Sequence, residues 1–70
     1  MSVYPNLTRE MRDNKVSTET LASFLGLKKG ALYRRLRGET EWKLSEVVQI
    51  CEYFNNYDAG QLFLRLYTKT

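Results

Sequence analysis

Apolar residues recur along the chain at helical rather than alternating spacing, and glycines, one proline and an Asn55-Asn56 pair cut them into short blocks. Pro5 and Asn6 both suit a helix start, and Leu7 and Met11, four apart, predict a first helix that frays near Asn14. Ser17 is the expected N-cap of a second helix with Leu21, Ala22 and Leu25 on one face, although Thr20 stands where a full capping box has Glu or Gln. Gly26 ends it. A third helix is predicted from about Lys28 to Arg37, with Leu32 and Leu36 facing inward and Gly38 as its stop. The fourth is predicted by a stripe of Leu44, Val47, Val48, Cys51 and Phe54, with Glu46 near its N-terminal dipole. Asp58 is the expected cap of a short fifth helix holding Leu62, Phe63 and Leu66, while Tyr67 to Thr70 are read as either a loose end or a strand. The pattern predicts an all-α fold: one compact domain over residues 1–70, built as a bundle of four to five short helices.

Composition narrows what such a bundle can do. At 70 residues and 43% apolar content, the chain has material for one modest core and none for a multidomain enzyme. It has no histidine and one cysteine, so zinc-finger and disulfide-scaffold readings fail, and no nucleophile–base pair or metal-ligand set presents itself. No catalytic residue, metal or cofactor is expected. Cys51 lies on an apolar stripe and reads as a small buried hydrophobe rather than a reactive thiol. No purely apolar run exceeds three residues, and the N-terminal residues show no basic-then-apolar signal pattern, so no membrane association and a cytoplasmic location are expected.

Charge changes the picture further. Lys28, Lys29, Arg34, Arg35 and Arg37 fall within ten residues that contain no acid, while the rest of the chain carries six bases against eight acids. Positive potential concentrated on one helix is the footprint of a protein that docks on phosphates. The spacing around it fits. Across residues 17–37 a capped helix with small Ala22, a glycine turn at Gly26 and a basic helix anchored by Leu32 give helix-turn-helix geometry. A small side chain belongs at the crossing and glycine in the tight turn.

These residues resemble the lambda-repressor-like family, which includes the Cro proteins of phages and related bacterial regulators. The similar stretch runs from Asn6 to about Phe54. Ser17 to Leu27 is similar to the family's second helix and turn, Lys28 to Gly38 to its recognition helix and exit glycine, and Trp42, Leu44 and Glu46 to the opening of its fourth helix. The resemblance implies a fold of four or five helices and a homodimer bound to double-stranded operator DNA.

A helix about 10–12 Å across fits a major groove of roughly 12 Å, and residues near its N-terminus reach base edges first. Lys28, Lys29 and Gly30 occupy that end, and Tyr33 and Arg34 lie one turn on. Arg34 is the leading base reader, because guanidinium can bond bidentately to guanine; Lys29 reads guanine less sharply, Tyr33 suits a thymine methyl or a phosphate, and Gly30 lets backbone approach the groove. Ser17 and Thr18, at a helix start, suit a phosphate oxygen, with simple capping as the alternative. Arg35 and Arg37 are assigned to phosphates or to acids of the same chain.

The sequence departs from the family pattern in places. Met11 and Leu36 replace an Arg and Glu pair that often joins the family's first and third helices, an exchange expected to leave the joint intact. Arg35 stands where a second apolar anchor is usual, so Leu36 is expected to take that role. Glu39 and Glu41 stand where relatives tend to place bases. They favour a second reading, a protein-binding module or antirepressor that uses the same scaffold against a regulator protein such as a phage repressor. Leu62, Phe63, Leu64, Leu66 and Tyr67, within residues 58–70, are read as either a subunit contact or the packing of the last helix.

Overall fold

The computed structural model describes residues 2–66, so Tyr67 and the alternatives for residues 67–70 lie outside the described residues. The chain forms α1 (Pro5–Asp13), α2 (Thr18–Leu25), α3 (Lys29–Leu36), α4 (Leu44–Phe54) and α5 (Ala59–Leu62), and no strand occurs among the described residues. Each helix contributes one side chain with no exposed surface: Leu7, Leu21, Leu32, Ile50 and Leu62. Burying a side chain of this size stabilises by about 1.5–3 kcal/mol, so these five set the centre of the core. Tyr4, Met11, Ala22, Leu36 and Cys51 complete it.

The helix ends follow local chemistry. Ser17 Oγ accepts from the Thr20 N–H at 3.0 Å and caps α2. Gly26 closes α2 at φ 72°, a left-handed conformation that glycine adopts without a Cβ clash. Its turn is sealed by Leu27 N–H donating to Ala22 O at 2.8 Å. Met11 and Leu36 are both buried, so the joint between α1 and α3 is apolar as expected. The first helix begins at Pro5, with Tyr4 as its N-cap residue. The Tyr4 ring is buried edge-on against Trp42 and Phe63, at centroid separations of 5.9 and 6.2 Å.

Two predicted faces need correction. On α4, Leu44 and Val48 point outward, 79% and 48% exposed, while Ile50 and Glu46 point inward. The cause lies on α3. Residues 32, 35 and 36 share one helical stripe, so packing Leu32 and Leu36 inward carries Arg35 with them. Arg35 is therefore 8% exposed, and its Nε and Nη2 donate to the two Glu46 carboxylate oxygens at 2.9 and 3.1 Å. Turning Glu46 inward to meet it sets the rotation of α4. The carboxylate also accepts from the Lys43 N–H at 3.0 Å, and Arg35 Nη1 donates to Ala31 O at 3.3 Å.

The second correction concerns the C-terminal helix. Leu62 and Phe63 pack inward, but α5 stops at Leu62 and Leu66 is 59% exposed. Beyond α5 the chain leaves helical geometry to meet the N-terminal segment: Leu66 N–H donates to Val3 O at 2.7 Å, and Val3 N–H donates to Leu36 O at 2.8 Å. Val3 thus ties the end of α3 to the C-terminal segment.

Replacing Arg35 or Glu46 alone by alanine strands a charge in the core and is expected to cost about 3–5 kcal/mol, whereas Arg35→Met with Glu46→Leu together is expected to be neutral or stabilising. Urea denaturation of the three variants measures this directly. A single-variant loss below about 1 kcal/mol, the range of surface pairs, would show that the pair is solvated.

Candidate nucleic-acid interface

With α3 fixed by Leu32, Arg35 and Leu36, helical geometry leaves its opposite side to solvent. Lys28, Lys29, Gly30, Tyr33, Arg34 and Arg37 are all exposed, so the structure brings the five expected base readers onto one outward surface. Lys28 is the N-cap residue, with extended backbone. Lys29 Nζ lies 5.8 Å from the centre of the Tyr33 ring and 3.4 Å from a Glu19 carboxylate oxygen. Arg34 extends from the middle of this surface, and its side chain is in no ion pair among the described residues.

Gly30 is informative because the fold does not require it. Its φ is not positive, and a Cβ built there meets nothing within 4 Å. Gly26 and Gly38 differ, with φ values of 72° and 80°. At Gly38 an added Cβ would also run into the Arg65 guanidinium and the Val3 side chain.

The two residues expected at phosphates from α2 line one groove, Ser17 also serving as the helix cap. Ser17 Oγ is engaged as a cap and also donates to Thr20 Oγ1 at 2.9 Å. Thr18, half-buried, faces a groove of about 420 Å³ that runs between α1, the start of α2 and α3, with Arg12, Val16, Lys29 and Tyr33 on its walls. The groove is thus edged by cationic side chains and by the first turn of α2, whose unpaired N–H groups favour an anion. Glu19, in that same turn, opposes them.

Arg35 is corrected: of its two assignments, phosphate or an acid of the same chain, it takes the acid, and its burial removes it from any external partner. Arg37 is also engaged, with Nε 2.9 Å from Glu39 Oε2, but on the surface. The hydrogen bond from Arg37, then its charge, holds the Glu39 carboxyl below its ordinary range, and the same contact raises the Arg37 guanidinium. The loop acid Glu41 lies 3.4 Å from Arg65 Nη1, and Arg65 Nη2 donates to Gly38 O at 3.0 Å.

Sequence reading missed Glu19 and Glu46 as partners of the α3 bases. Glu46 had a signal, a buried-stripe arginine in need of an acid. Glu19 had none, because its approach to Lys29 arises from how α2 and α3 cross.

Elsewhere the side chains offer little chemistry. Burial, then the charges of Asp58 and Glu52, push the Cys51 thiol up, away from reactivity. No cluster of His, Cys, Asp or Glu suited to a metal ion occurs among the described residues, and no helix there is long and apolar enough to cross a membrane. Among curated proteins and solved structures, none matches the chain. Its sequence does match the BetR domain over residues 2–68, nearly the full length, and the chain belongs to that family, a helix-turn-helix-like group of regulatory domains.

Proposed function

We propose that this protein is a sequence-specific DNA-binding transcriptional regulator of the lambda-repressor-like kind, a Cro-type repressor that places α3 in the major groove of operator DNA. The observation that carries the reading is the outward surface of α3, where Lys28, Lys29, Tyr33 and Arg34 stand exposed around a glycine the fold does not need. Arg34 reads a base edge. Lys28 and Lys29 reach bases or adjacent phosphates, Tyr33 sits one turn on, and Thr18 takes a phosphate at the start of α2.

The protein acts as a homodimer in this reading. Leu64 and Leu66, 57% and 59% exposed, supply apolar surface in this reading. Two subunits would set their α3 helices roughly 34 Å apart, one turn of a near-palindromic site.

Selection of bound fragments from random duplex DNA, followed by a salt titration on the selected site, tests the reading. Log affinity is expected to fall with log salt by roughly 0.9 per phosphate neutralised. A flat slope would instead assign the scaffold to a protein partner, the antirepressor reading that Glu39 and Glu41 favour. Arg34→Ala is expected to cost about 1–3 kcal/mol and relax discrimination at one base pair; equal loss on every sequence would remove Arg34 as a reader.

Gly30→Ala separates fold from function. Alanine is favoured over glycine in a helix, by up to about 0.5–1 kcal/mol in an interior and less in a first turn such as that of Gly30, so the variant is expected to be at least as stable in urea as the wild type. Binding to the selected site is expected to weaken, because the new methyl group enters the space between backbone and groove. Unchanged binding would place Gly30 outside the interface.

A further inference from the structure

Of the exposed cations along α3, Lys29 and Arg37 are paired with carboxylates, whereas Lys28 and Arg34 are in no ion pair among the described residues. At the N-terminal end Lys29 Nζ lies 3.4 Å from Glu19, and at the C-terminal exit Arg37 Nε lies 2.9 Å from Glu39. Arg34, in the middle, is in no ion pair among the described residues. Glu19 is fixed in the first turn of α2. The Glu39 backbone N–H donates to Arg34 O at 2.9 Å, which places the residue beside the helix end. The hydrogen bond and charge of Arg37, with a smaller contribution from the charge of Arg34, hold that carboxyl below its ordinary range.

A carboxylate bound to guanidinium or ammonium uses the same donors that a DNA phosphate would use. Before Lys29 or Arg37 can neutralise a phosphate, its internal partner must be displaced, and the displaced acid then faces the polyanion. Resting on the DNA-binding reading above, we infer that Glu19 and Glu39 are selectivity residues: they occupy Lys29 and Arg37 as internal substitutes for phosphate and so hold down affinity for DNA of arbitrary sequence. Phosphate contacts supply most of non-specific binding, whereas base contacts supply discrimination. Pairing Lys29 and Arg37 weakens the first contribution more than the second, because Arg34 is in no ion pair among the described residues even though its charge also acts on the Glu39 carboxylate.

The test is anisotropy titration of the full chain with a labelled random-sequence duplex two helical turns long, repeated across salt concentrations. The variants are Glu39→Gln, Glu19→Gln, and Glu52→Gln as a control with the same charge change on an exposed position of α4. Glu39→Gln and Glu19→Gln are each expected to bind about three- to tenfold tighter than wild type at low salt, with the slope steepened by about 0.9 for the phosphate gained. Glu52→Gln is expected to keep the wild-type slope. Adding Arg37→Ala to Glu39→Gln should abolish the gain, because the freed guanidinium is its source. If wild type binds with a steep slope while Glu39→Gln and Glu19→Gln match Glu52→Gln, or if the gain survives without Arg37, the inference is overturned and the DNA-binding reading stands. If neither wild type nor the variants bind DNA even in dilute buffer, the DNA-binding reading itself fails and the inference falls with it.

Discussion

The buried pair between Arg35 and Glu46 is the contact on which the arrangement depends. It joins the last turn of α3 to the first turn of α4 through two parallel hydrogen bonds, and both partners are nearly closed to solvent. Two charges withdrawn from water cost several kcal/mol each unless they are well matched, so neither helix can rotate without stranding one of them. Leucines alone tolerate small rotations, because apolar contact is not directional. The ion pair supplies the missing direction. It fixes which side of α3 turns inward, and by geometry which side is left to solvent.

That constraint partitions the basic segment. In sequence, Lys28, Lys29, Arg34, Arg35 and Arg37 form one block. In the fold they divide three ways. Arg35 serves the core, Lys29 and Arg37 meet surface carboxylates, and Lys28 and Arg34 stand outside any ion pair among the described residues. The effective positive surface of α3 is therefore narrower than the block suggests, and it centres on Arg34. Under the proposed DNA-binding reading such a reduction would favour discrimination, since long-range attraction to phosphate does not depend on sequence.

Most of the helical framework was legible in the chain because period and punctuation agreed. Ser17, Gly26, Leu32 and Leu36 act in the structure as their spacing implied. The rotation of α4 was not legible. Leu44, Val47, Val48, Cys51 and Phe54 make an acceptable apolar stripe, and nothing local shows that Glu46 turns inward instead of Leu44. The decision is made eleven residues away by Arg35, a tertiary effect that no window on α4 contains. The end of α5 was hidden for a similar reason, since Leu66 gives up helical geometry for a backbone bond to Val3 at the far end of the chain.

The candidate site shows the same limit in a different form. Gly26, Gly30 and Gly38 look alike in sequence, three glycines bracketing a basic helix. The backbone separates them: two sit at positive φ, where a side chain would be strained, and the third sits in ordinary helical conformation with open space around it. A glycine required by its own fold says nothing about a partner. One that weakens its helix without relieving any internal contact calls for a reason outside the chain. Gly30 is of that second type, and it lies between Lys29 and Arg34 on the surface that the Arg35–Glu46 pair turns outward. The fold thus accounts for where this surface points, and the glycine at its centre is what the proposed DNA-binding reading would explain.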